Sequence, residues 1–370
     1  MIKAFRKTRE YVSLGSIIIF LLTFISLILF IIVKSSTAFA DFFNYYITSP
    51  FRVFITTMTS WIPFSLAEMA IISSPIWGTV LVVYAVKEAK KGAKSASKYL
   101  CGIASALCVI FMTFVWTYSS GYHTTTLDKK LDINREKISA NELYETANWL
   151  TDNINALAPE ILYGEDGSSI MNYSYSEMSA KICDAYDTFT VNYSILVNFE
   201  SKIKPIVLSE PFTYTHISGV YTFMTGESNV NVNYPDFIVA STAAHELAHQ
   251  RGIAREDEAN FVAFMVCISS DDPYLQYSGY LDVYSSVMSA LYSADKELYS
   301  TVASRLCTEA KRERSSYSKF FQKYAESKTS EISNSINNSF LQANGQEQGT
   351  KSYGMVTDLT VAYYKTKIKS

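Results

Sequence analysis

Residues 11–33 carry no charge over 23 positions and are dense in Ile, Leu and Phe. A bilayer core takes about 20 apolar residues as helix, so this run is long enough to cross one. Lipid leaves no partner for free backbone N–H and C=O groups, which commits such a run to helix. Residues 69–86 form a second uncharged stretch of 18, and their Pro75 and Gly78 are tolerated in membrane helices. A third uncharged stretch, 99–127, has its apolar centre between Cys101 and Tyr118. We therefore expect residues 1–120 to be a membrane anchor of three transmembrane helices, at about 11–33, 69–86 and 100–120. Residues 121–370 are then a domain in water.

Charge supports that division. Residues 1–120 hold 11 Lys+Arg and 4 Asp+Glu, a balance of +7, and residues 121–370 hold 21 and 31, a balance of −10. The basic residues of the front part sit in two places: Lys3, Arg6, Lys7 and Arg9 before the first span, and Lys87, Lys90, Lys91, Lys94 and Lys98 after the second. The loop between the first two spans has only Lys34 and Arg52. Basic segments stay cytoplasmic, so the N-terminus is expected inside and everything after about Gly121 outside, on a multi-pass protein of the cell membrane. Ala38-Phe39-Ala40 would suit a signal-peptide cleavage site, but the apolar run before it exceeds the 7–15 residues of such a leader, and we read it as a retained span. Residues 51–68, with Trp61, Pro63 and Phe64, read as an aromatic element lying along the interface. The lipid bilayer is thus one expected partner. The acidic domain has no basic block, which argues against nucleic acid. The five cysteines form no C-x-x-C pair, so buried thiols are expected rather than a cysteine metal site or a disulfide framework.

In the soluble part, Ile138, Leu143, Ala147, Leu150, Ile154 and Leu157 recur at mostly three- and four-residue steps, which predicts a helix over 133–158, ended by Pro159. Residues 175–200 read similarly. Residues 220–223 and 230–234 are rich in β-formers and are split by Gly226, which predicts two short strands or a hairpin. Helices are expected at 237–252 and 256–268, then across 274–334, with a Gly- and Asn-rich link at 337–350 and a last short helix at 353–364. The class is mainly α with a small β-sheet.

Residues 243–260 carry the chemistry. His245 and His249 are four apart, so on a helix they project from one face, where two imidazoles can hold one zinc ion. Glu246, beside the first ligand, can act on a water as general base, the H-E-x-x-H arrangement. Catalytic zinc keeps three protein ligands and one open position. Gly252 would end the helix and turn the chain back, so the third ligand is sought in Glu256, Asp257 and Glu258. A ligand imidazole needs an acceptor for its other nitrogen. Asn260, one turn after Glu256, could supply it; Val262, one turn after Glu258, could not. Glu256 is therefore favoured, with Glu258 as the alternative and Asn260 behind the ligands.

Glu256-Asp257-Glu258-Ala259-Asn260 after H-E-x-x-H resembles the E-x-x-A-D segment of gluzincin metallopeptidases, in particular the membrane-bound CAAX-prenyl-type zinc proteases and their bacterial heat-shock relatives. Asn260 replaces their Asp, and the interval from His249 to Glu256 is shorter than theirs. The run His245 to Gly252, with Asp257 to Phe261, Pro63-Phe64-Ser65-Leu66 and Gly345-Gln346-Glu347-Gln348-Gly349, is similar to a bacterial family of zinc peptidases with N-terminal membrane spans whose activity is inferred rather than known. The resemblance implies three transmembrane helices followed by a gluzincin-like zinc peptidase domain acting on a peptide or protein substrate outside the cytoplasm.

The reaction so implied is hydrolysis, with Glu246 moving a proton from water to the leaving amine. An oxyanion stabiliser is needed as well. His216 is one candidate, though it reads more readily as an ordinary loop or surface histidine; Tyr214, Tyr221 and Tyr353 are others. The strands near 220–234 could offer an edge to an extended peptide. A zinc-binding sensor without turnover, and a zinc amidase acting on cell-wall material, are the alternative readings.

Overall fold

The computed structural model describes residues 2–133, 135–325 and 327–369, without the side chains of residues 2–6 and Tyr353. The membrane part begins with α1 (Ile2–Tyr11), α2 (Leu14–Ser35) and α3 (Thr37–Phe42). A π-helical turn at Phe43–Thr48 leads into α4 (Ser49–Ser60), followed by α5 (Leu66–Lys90) and α6 (Ala93–Thr117). Helices α2, α5 and α6 are long and apolar enough to cross a membrane, and they pack together with α6 between the other two. Their outer faces are bare apolar side chains such as Leu21, Phe24, Ile76 and Leu107. Both α5 and α6 run several residues past the apolar stretches. Ser65 caps α5 by accepting from the Glu68 N–H, and Gly92, at φ +109°, turns α5 into α6 after a basic end. Helix boundaries follow caps, whereas hydropathy follows only the lipid-facing middle.

The remainder is mainly helical. It holds α7 (Leu127–Lys130), α8 (Ala140–Leu157), β1 (Leu162–Tyr163), β2 (Ser169–Ile170), α9 (Tyr175–Asn192), β3 (Ile203–Pro205) and α10 (Ser209–Thr213). A hairpin of β4 (Gly219–Thr222) and β5 (Glu227–Val230) precedes α11 (Asp236–Gln250) and α12 (Glu256–Ile268). Then come α13 (Pro273–Ala294), α14 (Lys296–Arg305), α15 (Thr308–Gln322), α16 (Lys328–Ala343) and α17 (Val356–Tyr363). Capping boxes Ser139/Glu142 and Ser174/Glu177 start α8 and α9, so α8 begins later than its apolar period suggests. Leu150 and Ile154 of α8 meet Leu281, Tyr284 and Val287 of α13 in the core, with α11 and α12 packed on the same helix. Cys183 and Cys267 are buried thiols, and all five cysteines are free. Helix α16 extends to Ala343, so the first half of the link expected over 337–350 is helix; Ile332, Ile336, Phe340 and Leu341 keep a helical period through its Asn-rich sequence.

The small sheet has strand order β3-β5-β4, with β5 parallel to β3 and antiparallel to β4. This leaves β4 as a free edge. The second strand is Glu227–Val230 rather than 230–234. The Thr222–Gly226 turn, closed by the Gly226 N–H on the Thr222 carbonyl at 2.8 Å, sets the register, and Gly226 adopts φ +66°. β5 is polar yet wholly buried, because each side chain has work elsewhere. Ser228 donates to the Glu246 carbonyl at 2.9 Å, and Asn229 donates to that of Val220. The Glu227 carboxylate pairs with buried Lys204 and accepts the Leu66 and Ala67 N–H groups at 3.0 and 3.1 Å. That bond set ties the sheet to the start of the second apolar helix.

Residues 37–60, counted in the sequence with the membrane region, pack both on α2 and α6, where Ala40 and Phe43 meet Val33 and Trp116, and on the domain. The segment expected to lie along the interface is amphipathic α4. Its Arg52 and Thr56 face inward and are buried, while Phe51, Phe54, Met58 and Trp61 face outward. Thr56 and Thr59 donate to the Gly226 and Thr225 carbonyls, each at 3.0 Å.

Glu227→Ala leaves the Lys204 ammonium buried without its carboxylate, which costs about 3–5 kcal/mol. Chemical unfolding of the detergent-solubilised protein should register a loss of that size. Lys204→Met/Glu227→Leu should recover part of it, and a double variant no better than Glu227→Ala would contradict the buried pair.

Candidate metal centre

Helix α11 is buried along its whole length from Phe237 to Gln250. Its small residues Ala240, Ala243, Ala244 and Ala248 let α12, α13 and β5 approach closely on all sides. It ends in a Schellman turn. The Ile253 N–H reaches the Ala248 carbonyl at 3.1 Å, and the Gly252 N–H reaches that of His249 at 3.0 Å, with Gly252 at φ +95°. A Cβ at Gly252 would run into the Arg52 guanidinium. The turn needs only residues 251–255 before α12 starts, and it starts at Glu256.

Glu256 therefore returns directly onto α11. Its Oε2 lies 3.3 Å from His245 Nε2 and 3.3 Å from His249 Nε2. The ligand-capable atoms of the three side chains all fall within 4.8 Å of one another, and all three residues are buried. Two ligands at about 2.05 Å from a tetrahedral ion stand about 3.3 Å apart, so the two Glu256 separations are compatible with one shared divalent ion. The donor set, two imidazoles and one carboxylate, is that of catalytic zinc centres with an open position. Burial pushes the His249 imidazolium down, but the adjoining Glu256 carboxylate outweighs it and raises the group to about 9. Burial likewise raises the Glu256 carboxyl, and the two imidazoles outweigh it and hold it well below the usual range. Without an ion the site is thus an ion pair, and a divalent cation can replace the proton.

The nitrogen behind each ligand matters too. His249 Nδ1 lies 2.7 Å from the Ile253 carbonyl, which can only accept, so this nitrogen carries the proton and Nε2 presents its lone pair. The Tyr118 hydroxyl stands 3.0 Å from the same Nδ1. The acceptor expected from Asn260 is thus a backbone carbonyl at His249. His245 Nδ1 has no hydrogen-bond partner among the described residues. Asn260 lines the cavity beside it together with Asp282, the sole charged residue of α13. Burial pushes the Asp282 carboxyl up to about 6, and His245 pulls it back down.

Glu246 sits at the back of the cleft under β4. Burial raises its carboxyl, and the Tyr221 N–H on the free edge faces it. Its Oε2 has no hydrogen-bond partner among the described residues. Gly219 makes room for it: a Cβ there would lie 2.7 Å from Glu246 Oε1 and 2.5 Å from Thr242 Cγ2.

The other candidates part company. Glu258 Oε1 accepts the Leu127 N–H at 2.8 Å and pairs with Arg255, while Asp257 pairs with Arg135 at 2.9 Å; neither joins the cluster. His216 borders the same cavity as Glu246, but its Nε2 is held 2.7 Å from the Tyr324 carbonyl. Tyr214 is exposed and packs on Tyr324. Tyr221 borders the ligands, its hydroxyl has no hydrogen-bond partner among the described residues, and burial pushes it up to about 12, so it remains a donor at neutral pH. The side chain of Tyr353 lies outside the described residues. Tyr118, Asp282 and Arg52 were not found from the sequence. A lone Asp in an apolar helix and a lone Arg in an aromatic one were the only signals.

His245→Ala should leave the purified protein with less than a tenth of an equivalent of zinc, while Glu258→Gln should retain about one. Elemental analysis after dialysis reads both, and zinc retained by His245→Ala would remove that residue from the ligand set.

No curated protein and no solved structure matches this chain. A family profile does match, over residues 43–361, which takes in α4, the second and third apolar helices and the whole metal cluster. The chain belongs to the family described as a protein of unknown function, DUF3810.

Proposed function

We propose that this protein is a membrane-anchored zinc metallopeptidase that hydrolyses peptide bonds outside the cytoplasm. One observation carries the reading: His245 Nε2, His249 Nε2 and Glu256 Oε2 converge while an unpartnered Glu246 oxygen faces the same cleft. The likeness of the 245–260 segment to gluzincins points the same way. A zinc ion held by these three side chains would polarise the scissile carbonyl and acidify water. Glu246, its carboxyl raised by burial, is suited to accept a proton from the attacking water at neutral pH and return it to the leaving amine. The free edge of β4 is suited to align an extended peptide by main-chain pairing. Tyr221, with a free hydroxyl, is a better oxyanion donor than His216, whose nitrogen is occupied. The basic segments before α2 and after α5 favour a cytoplasmic N-terminus and an external domain.

The test is turnover of a fluorogenic peptide library by the full-length protein. Glu246→Gln should keep its zinc and lose about 10²–10⁴-fold in kcat/KM, the usual worth of a general base. Gly219→Ala, which displaces the Glu246 carboxylate, should lose activity in the same direction with zinc retained. Equal turnover by wild type and Glu246→Gln would end the reading.

A further inference from the structure

The cleft differs on its two sides. Beyond Glu246 and His245 on one side lies a cavity of about 410 Å³ lined by polar groups such as Ser218, Ser241, Asn260, Asp282 and Asn334. On the other lies one of about 600 Å³, bordered by His249 and Glu256 and otherwise largely apolar. Its wall is α16, whose Ile332, Ile336 and Phe340 recur every fourth residue, so they share one helical face. Ile332 and Ile336 are 62% and 65% exposed, although the chain could have placed polar residues there at no cost to its core.

This apolar wall continues to the third apolar helix. The Phe114 ring, in the last turn of α6, meets Phe340 at 6.1 Å and Phe223 on the opposite wall at 5.4 Å. Tyr118, the first residue after α6, reaches His249 itself. The metal cluster is therefore one residue and one hydrogen bond from the end of a helix fit to span a bilayer. The apolar side of the cleft borders that end through Tyr118 and Tyr122, whereas the polar side is bordered by α11, α13 and α15.

From this we infer that the substrate is a membrane-anchored polypeptide, held by the apolar residues that follow its own span and cut close to the bilayer surface. The inference rests on the peptidase reading above and adds the substrate class. A segment leaving a bilayer is apolar at the interface and polar farther out, which is the order of the two cavities. Ile332, Ile336 and Phe340 then contact the membrane-proximal residues of the substrate, in continuity with the lipid-facing surface of α6.

The experiment places the full-length protein in phospholipid nanodiscs. A quenched-fluorescent pool of decapeptides is offered free, or joined to a single transmembrane helix in the same discs. Wild type should cleave the anchored pool at least tenfold faster. Ile332→Asp/Ile336→Asp should bring that ratio toward one with zinc content unchanged, and Ile332→Leu/Ile336→Leu should preserve it. Equal rates on both pools, or a ratio that survives the Asp variant because tethering alone raises local concentration, overturn the substrate class and leave the peptidase reading standing. If Glu246→Gln cleaves as fast as wild type, or wild type cleaves neither pool, the peptidase reading fails and this inference fails with it.

Discussion

Arg52 holds the site to the anchor. Its guanidinium is buried with no carboxylate partner among the described residues, and burial lowers it to about 10. It donates to the Thr117 carbonyl at 3.0 Å and the Arg251 carbonyl at 3.4 Å. The first ends α6 and the second caps α11, so the cation sits at the negative ends of two helix dipoles. Asn44 and Thr48 supply further oxygens at 2.6–3.2 Å, and Asn44 in turn donates to the Gly252 carbonyl. Desolvating an arginine is expensive, and oxygens fixed by two helix ends compensate without a second charge. Through this one side chain, the last apolar helix, the segment between the first two and the turn that delivers Glu256 become a single arrangement.

The same contact explains why the ligand turn admits only glycine at 252. The left-handed backbone there and the guanidinium against it exclude a side chain on two separate grounds. The turn then sets the ligand geometry. Five residues separate two buried helices, so α12 is forced to begin where Glu256 can reach both imidazoles. The convergence follows from helix packing and a cap, so the three side chains are held together without an ion.

Much of this was legible. His245, Glu246 and His249 follow from a four-residue spacing on a helix, and Gly252 from the end of that helix. Choosing Glu256 over Glu258 rested on Asn260, yet the hydrogen bond used in that argument is absent at His249, where the Ile253 carbonyl does the work. A backbone acceptor leaves no mark in a sequence. Nor do contacts made across long separations. Arg52 and Arg251 stand 199 positions apart, and Tyr118 and His249 stand 131 apart. The β5 strand was placed too late, at 230–234, for the opposite reason: Glu-Ser-Asn reads as surface, but Glu227, Ser228 and Asn229 are buried and each bonds inside the protein.

Zinc-edge X-ray absorption on the dialysed full-length protein tests the centre most directly. The account predicts a shell of light atoms only, with scattering from two imidazole rings and one ligand that exchanges with solvent. Sulfur in that shell, a single imidazole, or a coordination sphere closed entirely by protein groups would contradict it.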